Sequence, residues 1–240
     1  MTKKVKFSIF LLSVSLIFIY VVGRWAFKAK DELLYPRPVM TVQSIEENLE
    51  TILTDFESIL KENNPAVYNT LNQGLSIGEI GELETTYKIK LPEEVKTLYM
   101  WHNGCSNFED AFQNGTIIPG HWFMPLEESL KMTQSLRRPE GTIVQKILLE
   151  AMTGYRKEWI MLLHDGCGDG YYCDPARTSD SGYVFYNFTE ISHYIFFPSL
   201  KNMFQAFIEC YQNNIFKDEM DVNDYEASDQ IMAKYGIIVN

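Results

Sequence analysis

The hydrophobic period of this chain changes near Gly104 and changes back near Ser199, and that order limits the folds open to it. The helical part comes first. Ile45, Leu49, Ile52, Leu53, Phe56, Ile59 and Leu60 recur at helical spacing behind the capping-box pattern Ser44-Ile-Glu-Glu47. They predict an amphipathic helix over residues 41–62 that stops near Asn63-Asn64-Pro65. A second box, Ser76-Ile-Gly-Glu79, opens a short helix carrying Ile80, Leu83 and Tyr87. Leu91-Pro92-Glu93-Glu94 starts a third, with proline in its first turn and acids where the helix dipole favours them. Its apolar face is Val95, Leu98, Tyr99 and Trp101, and Asn103-Gly104 is the expected stop.

Strand-length runs follow. Residues 122–124, 159–163, 171–173 and 183–188 read as strands, and a helix over residues 126–136 interrupts them. Residues 199–213 return to helical spacing, with Leu200, Met203, Phe204, Phe207, Ile208 and Tyr211 on one face. Helices, then a meander of strands, then helices predict an α+β layer fold with a mainly antiparallel or mixed sheet packed by helices. Residues 218–240 read as an acidic tail with one weak helix over 226–235.

Ahead of this body, residues 7–22 (FSIFLLSVSLIFIYVV) hold no charge. At about 1.5 Å per residue they reach about 24 Å, short of the roughly 30 Å hydrocarbon core of a bilayer. Extension to Phe27 closes the gap if Arg24 snorkels and Trp25 sits at headgroup depth. Val21-Val22-Gly23-Arg24 makes a poor signal-peptidase site, so residues 1–30 are expected to be an uncleaved single-pass anchor. Lys3, Lys4 and Lys6 on one side nearly balance Arg24, Lys28, Lys30 and Arg37 on the other, which assigns the body to neither side of the membrane. Pro36 and Pro38 make residues 31–40 a linker, and the globular domain is expected over 41–217.

Charge is divided the same way. The first thirty residues hold six cations and no acid, so residues 31–240 carry 15 cations against 32 acids, a net −17. A body of that sign lacks the basic face a nucleic-acid binder needs and suits a basic protein partner.

Local motifs ask for little chemistry. There is no Gly-x-Ser-x-Gly elbow, phosphate-binding loop or His-Glu-x-x-His pair. The turn HDGCGDG carries Asp165 and Asp169, whose charge opposes a dinucleotide, and strand rather than helix follows it. Its acids, with Asp174, lack the ligand order of a calcium loop, so a tight turn between strands is the expected reading. His102-x-x-Cys105 and His164-x-x-Cys167 have the residue types of a zinc site, with Cys173 as an alternate ligand, but nothing in the spacing joins the halves. Neither metal, cofactor nor small-molecule substrate is assigned. A hydrolase using His164 and Asp169 would have no nucleophile placed by motif.

One long pattern goes further. SIGEIGELETTYKIKLPEEVKTLYMWHNG, followed in order by FMPLEESLK, WIMLLHDGCGDGYYCDP, GYVFYN and FPSLKNMFQAFI, resembles the signature of the SUKH superfamily. The resemblance covers roughly residues 76–208. It implies a single α+β domain that binds other proteins without catalysis, as the bacterial toxin-immunity proteins and the Smi/Knr-type regulators of cell-wall synthesis do. Carried over, the family's Leu-Pro falls on Leu91-Pro92, its Asn-Gly on Asn103-Gly104, and its Gly-rich turn on Gly166, Gly168 and Asp169, with Asp174 closing the next strand. With Trp101, these seven positions (Trp101, Asn103, Gly104, Gly166, Gly168, Asp169 and Asp174) are the candidate binding residues. The expected partner is a protein, with a basic toxin domain as the leading reading and a membrane-tethered module of envelope synthesis as the alternative. The anchor is an addition to the usually soluble family, and the helix over 41–62 lies ahead of the matched region, with its partner face unassigned.

Overall fold

Helix α1, Leu49–Asn63, realises the first helical pattern in the computed structural model of the chain, and it starts later than Ser44 predicts. Asn48 Oδ1 accepts from the Thr51 N–H at 2.8 Å and the Thr51 hydroxyl at 2.9 Å, so Asn48 is the cap. Leu49 is the first residue of the helix to enter the core, so burial places the helix start. The structure describes residues 42, 45–106, 116–137, 159–167, 169–175, 183–187, 194–216, 220 and 222–239. The expected anchor (1–30), the linker (31–40) and Gly168 lie outside them. Among the described residues, no helix is long and apolar enough to cross a membrane.

Asn64 ends α1 and caps α2, Pro65–Tyr68, through its side chain. Strand β1, Leu71–Gln73, then leads to α3, Ile77–Tyr87, which opens on the expected capping box: Ser76 N–H donates to Glu79 Oε2 at 2.8 Å and Glu79 N–H to Ser76 Oγ at 3.3 Å. Helix α4, Glu93–Trp101, buries Val95, Leu98 and Tyr99. Here the sequence expectation needs correction. The chain does not turn off at Asn103-Gly104 but continues as strand β2, His102–Cys105, antiparallel to β1. The Asn72 side-chain amide donates to the carbonyls of Asn103 and Cys105, each at 2.9 Å, across an irregularity in that pairing.

The remaining elements are β3 (Trp122–Phe123), α5 (Leu126–Arg137), β4 (Ile160–His164), β5 (Gly170–Asp174), β6 (Tyr183–Asn187), β7 (Tyr194–Phe197), α6 (Leu200–Gln212), α7 (Val222–Tyr235) and β8 (Ile237–Val239). Among the described residues, β3 to β8 form one sheet in chain order, antiparallel throughout. The acidic tail is therefore part of the fold: α7 packs on α6, and β8 pairs with β7.

Register puts Ile160, Cys173, Val184 and Phe197 in one row across four strands, and Leu163, Tyr171, Tyr186 and Ile195 in the next. These rows share a face, and α6 packs on it, with Tyr171 against Phe207 at 5.5 Å between ring centroids. Behind α6 lies α1, joined through Phe56 and Phe204 at 5.2 Å. At the β4 edge, two-residue β3 leaves part of the strand unpaired. Helix α5 covers the rest: the buried Ser129 hydroxyl donates to the Met161 carbonyl, and the Thr133 hydroxyl donates to the Trp159 carbonyl at 3.1 Å. An open strand edge invites pairing with another chain, and this one is closed by side chains.

One helix cap carries a titratable group. At the start of α6, the Ser199 side chain accepts from Asn202 N–H, and Glu94 Oε2 of α4 accepts from Leu200 N–H at 2.7 Å. Burial outweighs that bond and the nearby Lys201 charge, and raises the Glu94 carboxyl from the ordinary 4.5 to about 7. The folded state thus binds this proton more tightly than the unfolded chain. The stability it contributes is complete below about pH 4.5 and is lost as pH rises through about 7. At about 1.4 kcal/mol per pKa unit the difference approaches about 3 kcal/mol. Glu94→Gln keeps an acceptor for Leu200 and is expected to be more stable than the parent at pH 8, with a flatter dependence between pH 5 and 8. Urea titrations at the two pH values test this, and parallel slopes for the two proteins would contradict it.

Candidate protein-binding site

Where α1, α2 and the α4–β2 junction meet, polar and aromatic side chains gather around one carboxylate. Glu57, one turn before Lys61 on α1, accepts from three side chains and has a fourth, His102, close by. Lys61 Nζ lies 2.6 Å from Oε1, and Tyr68 OH donates to the same oxygen at 3.3 Å. Trp101 Nε1–H donates to Oε2 at 3.0 Å, and His102 Nε2 stands 3.9 Å from it. Burial raises the Glu57 carboxyl, but hydrogen bonds from Lys61 and Trp101, with the Lys61 and His102 charges, outweigh it and hold the group below its ordinary range. The Lys61 ammonium also sits 4.6 Å from the Tyr68 ring centroid.

The aromatic walls are fixed from below. Trp101 stands 6.1 Å from Phe56, 6.4 Å from Phe123 and 6.2 Å from Phe204, so its indole is seated on the core while its N–H reaches Glu57. His102 meets Trp101 edge-on at 4.5 Å and Tyr68 at 6.3 Å, and its Nδ1–H donates to the Asn72 carbonyl at 2.7 Å. That bond orients the ring with Nε2 towards Glu57. Helix α4 ends at Trp101 and β2 begins at His102, so adjacent residues present two rings to one side of the cluster.

The residues singled out from the sequence divide sharply. Trp101 belongs to this cluster. Asn103 Oδ1 accepts from Leu126 N–H at 2.9 Å and so holds the start of α5, and Gly104, at φ +69°, is buried against the Met124–Pro125 backbone. Asp174 is buried and accepts from Trp159 Nε1–H at 3.2 Å. Gly166, at φ +89°, and Asp169 lie in the β4–β5 turn, where Asp165 Oδ1 accepts from Cys167 N–H at 2.8 Å and Asp169 N–H at 2.9 Å. Asp165 therefore works as a turn-former, in keeping with the tight-turn reading. Of the six that the structure describes, Trp101 joins the Glu57 cluster, while Asn103, Gly104, Gly166, Asp169 and Asp174 serve turns and element junctions; Gly168 lies outside the described residues.

The two His-x-x-Cys halves are also occupied separately. Cys105 is buried, with its thiol pushed up by burial, and Cys167 is exposed in the turn. Among the described residues, no three His, Cys, Asp or Glu side chains converge on a metal position.

Sequence reasoning missed Glu57, Lys61 and Tyr68, and it considered His102 only as a metal ligand. The available signal was the Glu57–Lys61 pair at i,i+4 together with two aromatic residues adjoining Asn103-Gly104.

Residues 74–224 match the model of the SMI1 / KNR4 family (SUKH-1), well over half of the chain. The chain belongs to that family. No curated protein matches the sequence. The SUKH family includes toxin-immunity proteins alongside the Smi1/Knr4 members, and its members are generally non-catalytic. Trp101 and His102 lie inside the SUKH-1 match, while Glu57, Lys61 and Tyr68 precede it. The carboxylate at the centre of the cluster thus comes from a helix ahead of the matched residues.

Proposed function

We propose that this SUKH-1 protein is a non-catalytic binding module that neutralises a bacterial toxin as an immunity protein, held at a membrane by residues 1–30. The observation that carries the reading is the net −17 of residues 31–240 on a fold whose family includes immunity proteins. Such a field speeds the approach of a basic partner and disfavours acidic ones. The alternative, a tethered regulator of envelope synthesis, draws on the Smi1/Knr4 branch of the same family.

The test is co-expression with the toxin encoded beside the gene. Immunity predicts that the full chain restores growth and is recovered in complex with the toxin domain. Unchanged killing and no complex would overturn it. Fractionation of the full chain against one lacking residues 1–30 tests the tether, and equal recovery from the membrane fraction would remove it.

A further inference from the structure

We propose that the Glu57 cluster is a docking site for an arginine side chain of the protein partner, which enters by displacing Lys61. This deepens the immunity reading and rests on it for the partner's identity, but the site can be tested without the toxin.

The chain's own Lys61 shows what the cluster accepts. Its ammonium contacts a carboxylate oxygen at 2.6 Å and an aromatic ring at 4.6 Å, the two contacts that recognise a cation, and its side chain is still 50% exposed. Lysine spans the pair as a point charge on a flexible stem, and its place at i+4 on the same helix makes it a weak, easily exchanged occupant. An arginine offers more. Its planar fork reaches both Glu57 oxygens, and its face stacks on the rings that flank them. Trp101 already bonds Oε2 from the core side, so the incoming group approaches from the Lys61 side, past Tyr68 and His102. Tyr68 OH can follow the carboxylate, and Lys61 can swing to water at little cost because it is half exposed. The acidic body draws a basic partner in, and this cluster gives one of its side chains a fixed place.

A purely structural latch between α1 and α4 predicts differently. In a latch, removing Lys61 weakens the assembly and improves binding to nothing. In a docking site, removing Lys61 clears the entrance.

The probe is the peptide acetyl-Arg-Arg-Arg-amide, titrated into the full ¹⁵N-labelled chain in detergent micelles. The readout is the Trp101 indole N–H resonance, assigned by its loss in Trp101→Phe. A saturable shift is expected, absent with acetyl-Glu-Glu-Glu-amide. Glu57→Gln, which keeps an acceptor for the indole, should weaken the peptide by about tenfold or more, as loss of a charge-assisted pair does. Lys61→Ala should tighten it by about threefold, the sign a latch does not give. An unmoved indole, equal affinity for the Glu57→Gln protein, or weaker binding by Lys61→Ala would each overturn the proposal. With the toxin domain, the same two variants should move affinity in the same opposite directions. If the peptide titrates as expected and the toxin does not bind, the immunity reading fails and the arginine site stands.

Discussion

Gly104→Ala is expected to cost about 3–5 kcal/mol, a large share of the roughly 5–15 kcal/mol that keeps a domain folded. Two effects add. Gly104 has φ +69°, which any other L residue adopts only with strain. A Cβ there would also lie 2.3 Å from the Pro125 nitrogen and 2.5 Å from the Met124 carbonyl carbon, both backbone atoms at the entry to α5. The strand cannot retreat, because Asn72 grips the carbonyls on either side of Gly104 and Asn103 holds the Leu126 N–H. Gly120 provides the control, since it has nearly the same φ, +72°, with nothing within 4 Å of its would-be Cβ. Gly120→Ala should therefore lose only the conformational part, about 1–2 kcal/mol. Melting curves of the two variants beside the parent measure the difference. Equal losses would show that backbone conformation, and not the close approach, makes Gly104 necessary.

Phe56→Ala should cost about 3–5 kcal/mol, the range for removing a fully buried phenylalanine. The ring has no solvent exposure and touches Phe204 at 5.2 Å, Tyr211 at 5.9 Å and Trp101 at 6.1 Å. It is the point at which α1, ahead of the matched residues, joins α6 and the base of the Glu57 cluster. The cavity would sit between three elements, and their other contacts prevent it from collapsing fully. A chemical-denaturation midpoint lowered by less than the equivalent of about 1 kcal/mol would mean that α1 is an appendage on a self-sufficient family core. The Trp101 indole should also lose its fixed seat, which separates this variant from a surface change on α1.

Several elements were readable because their signals are local. The Ser76–Glu79 box sets the start of α3 through bonds within one turn, and the apolar face of α6 needs only its own periodicity and a Ser199 cap. The HDGCGDG turn was legible for the same reason, since Asp165 bonds amides two and four residues ahead. Strand β2 was not. His-Asn-Gly-Cys has little strand propensity, and its conformation is imposed by β1 and by Asn72, some thirty residues earlier. Strand β8 was hidden similarly, as three apolar residues after a helix become a strand only because β7 offers a free edge.

The candidate site divides along the same line. The sequence marked Trp101 and the Asn-Gly pair, yet it could not tell the side chain that faces the cluster from the two that hold β2 against α5. Glu57, four residues before Lys61 on an amphipathic helix, carries no local sign of the rings that pack around it.

Three features can be read along the chain without any coordinates: the division of charge into a cationic first thirty residues and an acidic remainder, the α+β order, and the family likeness. The first two are properties of composition and local period and the third of an ordered run of motifs, and none depends on where distant residues meet. That the acidic tail adds a strand to the sheet, and that Glu57, Lys61 and Tyr68 meet Trp101 and His102, is a matter of packing. The physical reason is that a carboxylate held by an indole 44 residues away acquires its environment from packing, and no run of neighbouring residues encodes that packing.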